Sequence, residues 1–324
     1  SKYGADTLRY YSICGTNPGL DLNYSFDDTK VKYRNLTVLW NIHNYLIGLA
    51  KNANINPEEL KIGKKDFSTE ENYIFSKLNS TIRKATKLFD EYRLNEIPPL
   101  IENMFLTLSR AYIQLTREKS SSEEGKEVVL YSVYNIFMET LKMFAPVAPF
   151  ISENIYQNIR KEFNLKEESI HFYKWPSCEE KRIDKDLEDN MDSISEVMQT
   201  ILALREKIQL GVRWPLQEVV IVTKDEKTVK AVELLKSIIK KQANIKEIDV
   251  QQSLPGIKLI IKADYSQIGP DFGNKAPQII AKLTSESPEA ILSHLEKDGK
   301  YAINLGKEKV NIVKEHLVIT RNIP

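Results

Sequence analysis

Cysteine is almost missing from this chain: Cys14 and Cys178 stand alone and far apart. That spacing excludes a disulfide framework and a Cys-x-x-Cys zinc site. Long apolar runs are also lacking. No stretch approaches the roughly 20 consecutive apolar residues of a membrane-spanning helix. The opening Ser1-Lys2-Tyr3-Gly4-Ala5-Asp6 has no basic-then-apolar leader, so the expectation is a cytoplasmic protein with no membrane partner. Nor is there an excess of one charge. Lys and Arg total 46 against 45 Asp and Glu, a formal +1, so any contact with nucleic acid has to come from local patches.

Signs of catalysis are equally scarce. The four histidines, His43, His171, His294 and His316, are scattered, and none sits beside a Ser or Cys as a nucleophile would require. His43, between Ile42 and Tyr45 on a helix, reads as a packed or surface histidine. There is no P-loop, and no Gly-x-Gly-x-x-Gly follows a strand. Internal repeats and low-complexity tracts are absent too. The sequence therefore presents no catalytic residue, no metal site and no cofactor site of its own.

What is present is a globular composition, with 42% hydrophobic and 28% charged residues over 324 positions. That length accommodates two or three domains. The chain opens without Met, and its first ten residues already read as the middle of a structured segment, as expected of a piece of a longer polypeptide.

From about residue 27 to about residue 209 the apolar residues recur at helical spacing, which predicts a helix bundle. Val31, Val38, Leu39, Ile42, Leu46 and Leu49 form the first stripe. A capping box at Ser68-Thr69-Glu70-Glu71 starts the second helix, which carries Ile74, Leu78, Ile82, Ala85 and Phe89. A third follows Pro98-Pro99, which suit a helix entrance. Ser121 and Glu124 suggest another box ahead of a stripe from Val129 to Phe144. Helices from Ser152 to about Phe163 and from Asp184 to about Gln209 complete the bundle, with Ser169 to Pro176 crossing between them as an extended segment. After Arg213-Trp214-Pro215 the period changes. Short β-branched runs at Val219 to Val222 and Leu259 to Ile261, helical patterns near 226–241 and 274–283, and strands at Tyr301 to Asn304 and Leu317 to Thr320 predict a small α/β module. Ser266 to Gly273 reads as a loop.

Two segments could bind nucleic acid. Leu204 to Leu216 gathers Arg205, Lys207, Arg213 and Trp214 around a helix end, where cations could neutralise phosphates and the indole could stack on an unpaired base. The alternative is that Trp214 caps the core beneath the following strand while the cations are merely solvated. Further back, Arg110, Gln114 and Arg117 share a helix face at spacings of three and four, opposite the apolar Tyr112. That face could track a phosphate backbone or be ordinary solvated surface. Lys236, Lys240 and Lys241 on one helix, and Arg83, Lys84 and Lys87 on another, are weaker signals. The acid pairs Glu70-Glu71 and Glu123-Glu124 fall in first turns and are assigned to stability.

Taken in order, several segments resemble the carboxy-terminal half of class I isoleucyl-tRNA synthetases, particularly the archaeal and eukaryotic kind. They are Lys2 to Tyr11, Trp40-Asn41, Leu108 to Arg117, Ala145 to Glu153 and His171 to Pro176. Val212-Arg213-Trp214-Pro215-Leu216 and Gly269 to Lys275 favour the isoleucine enzymes over their valine, leucine and methionine relatives. The family's His-Ile-Gly-His and Lys-Met-Ser-Lys-Ser signatures and its editing domain have no counterpart here and are expected ahead of Ser1. Ala111 stands where relatives often carry Trp, and Pro324 falls short of the family's last segment.

The resemblance implies a mainly α fold, an anticodon-binding helix bundle followed by a small α/β domain. Residues 1–26 would be a remnant of the stem-contact fold, 27–210 the bundle and 211–324 the α/β domain. It implies binding of the tRNA(Ile) anticodon stem and loop by a monomer, through Arg110, Gln114, Arg117, Arg205, Lys207, Arg213 and Trp214. DNA and membranes are not expected as partners. The intact enzyme would use ATP and Mg to ligate isoleucine to its tRNA, with the catalytic domain of the same polypeptide doing the chemistry and this piece, inactive alone, positioning the tRNA. Two alternatives remain open: the same region of a valyl- or leucyl-tRNA synthetase, and a helical scaffold that binds protein.

Overall fold

The structure is a computed structural model; it describes all residues except 1, 18, 254–257, 306–307 and 323–324, and the side chains of 258–260, 289, 296, 298, 308 and 320–322 are likewise left aside. The chain divides into two compact units, Ser1–Val219 with Asp225–Asp249, and Val220–Lys224 with Val250–Pro324.

The first unit is built from α1 (Ala5–Gly15), α2 (Phe26–Ala53), α3 (Thr69–Asp90), α4 (Ile97–Thr107), α5 (Ile113–Leu115), α6 (Lys126–Phe144), α7 (Pro149–Phe163) and α8 (Lys185–Lys207). It also takes in α9 (Glu226–Leu234) and α10 (Lys236–Ala243). The predicted stripes form its core: Leu39, Ile42, Leu46, Ile74, Ile82, Ile101, Phe105, Val133, Phe137 and Phe144 are all buried. Phe144 sits edge-on to both Tyr10 and Phe105, with ring centroids 5.2 and 5.6 Å away. The α6 helix, apolar on nearly every side, is the one the others surround, as its high content of Val, Leu, Ile and Phe requires.

Residues 1–26 do not stand apart. Tyr10 and Tyr11 of α1 are buried, and the Asp6 carboxylate accepts the Phe150 and Ile151 amides at 3.4 and 2.5 Å. Asp6 thus supplies from a distance the cap that Ala148, at the start of α7, cannot provide. Lys32 of α2 pairs with Glu102 of α4 at 2.8 Å, and Tyr10 donates to the same carboxylate.

The capping box at Ser68 forms, with Glu71 accepting the Ser68 amide at 3.0 Å. The box expected at Ser121 and Glu124 does not. Ser121 lies in a 3-10 turn, Lys119–Ser121, and Gly125 is the N-cap of α6. Ser122 Oγ accepts the Gly125 amide at 3.1 Å, so the local hydroxyl is spent on the turn that precedes the helix. The segment expected to cross the bundle extended begins with a 3-10 turn, Ile170–Phe172, before running without regular structure. Trp175 then anchors it, donating Nε1 to Thr86 Oγ1 at 2.9 Å and meeting the Phe89 ring edge-on at 5.0 Å.

β1 (Leu216–Val222) and β2 (Ile245–Gln251) form a two-stranded sheet. In the second unit, β3 (Lys258–Ala263) pairs antiparallel with β6 (Leu317–Asn322), placing Ile261 opposite Ile319 and Ala263 opposite Leu317. β4 (Tyr301–Leu305) pairs antiparallel with β5 (Glu308–Ile312), Ile303 facing Val310. Helices α11 (Tyr265–Phe272), α12 (Ala276–Ser285) and α13 (Pro288–Asp298) close the core with Ile268, Ile279, Leu283, Ile291 and Leu295.

The α11 helix replaces the loop expected at Ser266 to Gly273. Asp264 caps it, accepting the Ser266 amide at 2.9 Å, and Ile268 is fully buried. Pro270 lies within α11 and forgoes one backbone bond, and Gly273, at φ 49°, ends it. Tertiary burial of Ile268 overrides the turn-like local composition. The observed architecture, a helical bundle with a smaller α/β part, is the mainly α fold the sequence implies.

Candidate nucleic-acid interface

The α4 helix does not end at Thr107 but passes through one π-helical turn, Leu108–Tyr112, into α5. A π turn inserts a residue into the helical register and commonly marks functional positions. Tyr112, fully buried, fixes this turn by donating to Glu71 Oε1 at 2.8 Å. With that face pinned inward, Arg110, Gln114 and Arg117 are all left exposed.

Glu71 is itself 0% exposed and is held by three donors. Lys119 Nζ reaches Oε2 at 2.5 Å, as does Ser68 Oγ, and Tyr112 completes the set. Burial pushes this carboxyl up, but the hydrogen bonds from Lys119, Ser68 and Tyr112 outweigh it and hold the group below the usual carboxylate range. The result is a rigid polar knot directly beneath the segment that carries Arg110 and Arg117.

The second cluster lies where α8 ends. Gln209 adopts a left-handed φ of 53°, and Leu210 N–H returns to Arg205 O at 2.9 Å, so the chain turns sharply away from the helix. Lys207 and Arg213 are exposed. Trp214 is 68% exposed, so it stands out from the surface and does not cap the core. Among the described residues no ion pair involves Arg110, Arg117, Lys207 or Arg213.

Arg205 departs from the expectation of a surface cation. It is 2% exposed, and its Nη2 donates to Gly211 O at 2.8 Å and to Trp214 O. Its stem follows the apolar stripe of Ile194 and Ile201 into the bundle, so the guanidinium ends up serving loop carbonyls in place of solvent. Its Nε and Nη1 have no hydrogen-bond partner. It is a strut for the loop that carries Trp214.

The α10 helix brings the two clusters together. Gln242 Nε2 donates to Gln114 O and Leu115 O at 3.3 and 3.0 Å, capping the free carbonyls at the end of α5. Two residues on, Asn244 Nδ2 donates to Val212 O and Arg213 O at 2.9 and 3.3 Å. Sequence reasoning missed both amides. Asn244, in the left-handed conformation that ends α10, was the legible one, since Asn is a common helix C-cap. The lysines of this helix are already occupied: Lys241 pairs with Glu118 at 3.3 Å, Lys240 with Glu247 at 3.1 Å and Lys236 with Glu233 at 3.6 Å. Arg83 and Lys87 are likewise paired, with Glu180 and Glu91, which leaves Lys84 exposed between them.

Nucleophilic chemistry finds no support here. His43 is buried, its Nδ1 against Trp40 O at 2.6 Å, and burial lowers its pKa, as befits a packed neutral imidazole. Burial pushes the Cys14 thiol up to about 11. Among the described residues no three His, Cys, Asp or Glu side chains gather as a metal site would need, and no helix is long and apolar enough to cross a membrane.

Residues 71–221 match the family model described as the anticodon-binding domain of tRNA ligase. That span runs from the buried Glu71 to β1 and contains all seven residues proposed from the sequence. The chain carries the anticodon-binding domain of a tRNA ligase. Over its full length it is also similar to isoleucine–tRNA ligases: 31% identical to that of Thermococcus kodakarensis across 327 residues, and 29% to those of Pyrococcus horikoshii and Methanopyrus kandleri. The chain spans about 30% of the length of these curated relatives. Among solved structures, the LeuRS of Agrobacterium radiobacter in a ternary complex with tRNA matches 77% of this chain and 28% of that one, at a TM-score of 0.42 and 14% identity. In this anticodon-binding domain the exposed cations and the indole lie outside a core that is otherwise apolar, as a recognition module requires.

Proposed function

We propose that this chain is the part of an isoleucyl-tRNA synthetase that binds the anticodon stem and loop of tRNA(Ile). The observation that carries the proposal is the exposed Trp214, its backbone held by Arg205 below and Asn244 beside it, next to the unpaired cations Lys207 and Arg213. An indole so held loses little freedom when a splayed base stacks on it, while the cations contact phosphates. Arg110, Gln114 and Arg117, tied to the same helix through Gln242, extend the surface along the backbone of the RNA. Arg205 contributes by positioning.

In this reading the complete enzyme ligates isoleucine to its tRNA with ATP and Mg in the catalytic domain of the same polypeptide. It works in the cytoplasm as a monomer, with neither DNA nor a membrane as partner. The present region takes part in the reaction by collecting binding energy far from the reacting atoms and orienting the acceptor end. No catalytic activity is expected of it alone.

The test is competition among purified tRNAs for binding to the chain. Preference for the isoleucine tRNA over the valine and leucine tRNAs supports the proposal. Preference for either of the others moves the assignment to the sister enzymes. No RNA binding at low salt, with the protein folded, favours a protein-binding scaffold.

A further inference from the structure

Away from the Trp214 loop, a cleft of about 670 Å³ opens between the chain ahead of α3 and the chain ahead of α8. Its lining is basic and aromatic. Lys64 and Lys181 are exposed, and among the described residues no carboxylate pairs with either. Arg182 lies over a stack of two rings: Phe67 and Phe75 are 4.8 Å apart and 8° from parallel, and the guanidinium carbon is 5.0 Å from the Phe75 centroid and 5.8 Å from that of Phe67. Arg182 gives only its Nε to Glu179, at 2.9 Å, and its two Nη groups make no hydrogen bond among the described residues. The fourth cation, Lys185, is paired with Glu188 at 2.8 Å.

The acids at the rim do not cancel these charges. Asp184 is spent on the Leu187 amide at 2.9 Å as the cap of α8. Asp186 lies in the first turn, where it answers the helix dipole. Both bordering helix starts are thus already capped, by Glu71 and by Asp184. What remains available is two point charges and a planar guanidinium immobilised on aromatic rings. That set suits a phosphate with an unstacked base beside it, and the volume suits a single nucleotide.

We propose that this cleft is a second RNA-binding site, in which Lys64 and Lys181 hold a phosphate of the bound tRNA and the Arg182 plane supports the adjoining base. The proposal rests on the tRNA-binding reading above and adds a contact to it. From Lys185 to Lys207, α8 spans about 33 Å at 1.5 Å per residue, so the two sites would grip the RNA well apart and fix its orientation, which one patch alone cannot do.

The test uses the whole chain with Lys64→Ala and Lys181→Ala together. Both side chains are exposed and unpaired, so the fold is unaffected. tRNA binding is titrated between about 50 and 200 mM salt, where each phosphate contact contributes about 0.7–0.9 to the slope of log affinity against log salt. The expected result is a slope smaller by about 1.4–1.8 and binding about 3- to 10-fold weaker at the low end. An unchanged slope in the variant, with the parent protein binding normally, overturns this site and leaves the function standing. No binding by the parent protein overturns both. Inorganic phosphate and AMP are titrated alongside. If they bind the parent and not the variant while the RNA slope stays the same, the cleft serves a free phosphorylated metabolite and the RNA assignment is wrong.

Discussion

Replacing Arg205 by Met separates two roles that a cation in an RNA-binding segment can play. The side chain is 2% exposed, and its Nη2 bonds to Gly211 O at 2.8 Å and to Trp214 O. Each charge-assisted bond contributes about 1.5–3 kcal/mol at most. Two effects offset the loss. The acceptors lie on exposed residues and can turn to water, and Nε and Nη1, buried without partners, no longer need to be desolvated. A net loss of about 1–3 kcal/mol in urea unfolding is therefore expected. The loop carrying Trp214 loosens, and part of the stacking contribution of about 1–3 kcal/mol is spent on reordering it. tRNA affinity should then fall about 3- to 10-fold, with an unchanged salt slope, because this charge never faces a phosphate. A slope reduced by about 0.7–0.9, with stability intact, would refute the reasoning and place Arg205 on the RNA.

Trp214→Ala should weaken tRNA binding by about 1–3 kcal/mol and move the unfolding free energy by less than about 0.5 kcal/mol, since the ring is 68% exposed. Loss of stability in place of loss of binding would return the ring to the core. Glu71→Gln leaves Lys119 without its buried partner and should cost about 2–3 kcal/mol, Lys119 being able to reach water. Because the Glu71 carboxyl is held below its unfolded value of about 4.3, its contribution is present above that pH and is lost as pH falls through the folded value. Acid unfolding should thus be steeper in the parent than in the Gln variant, and identical acid limbs would count against the polar knot. Phe144→Ala removes the ring on which Tyr10 and Phe105 meet edge-on and should cost about 3–5 kcal/mol, read from the urea midpoint.

The bundle was legible because its apolar stripes are long and its boundaries are marked by chemistry. Ser68 with Glu71 at one start and Pro149 at another announce helices that form there. The second unit was less so. β2 carries Lys246, Glu247 and Asp249 between its buried positions, which blurs the alternation of a strand, and α11 is a helix only because Ile268 reaches a core assembled from distant segments. The α13 helix had a readable start in Ser287-Pro288 that was passed over. At the interface, residue types were legible but burial was not. Spacing alone puts Arg205 and Lys207 at the end of α8 without saying that one points inward, and no local pattern reveals that Gln242 and Asn244, on a later helix, tie Gln114 to Arg213. The cleft around Arg182 joins residues more than a hundred positions apart in the chain, Lys64 and Lys181, and only the fold brings them together.

The central claim is that the exposed, unpaired cations around Trp214 and α5 meet tRNA phosphates. Its most direct measurement is the salt slope of tRNA binding for the parent chain against the variant Arg117→Ala, Lys207→Ala and Arg213→Ala combined. Three lost contacts should lower the slope by about 2.1–2.7, with stability unchanged because none of the three takes part in an ion pair. An identical slope and affinity in a folded variant would contradict the account.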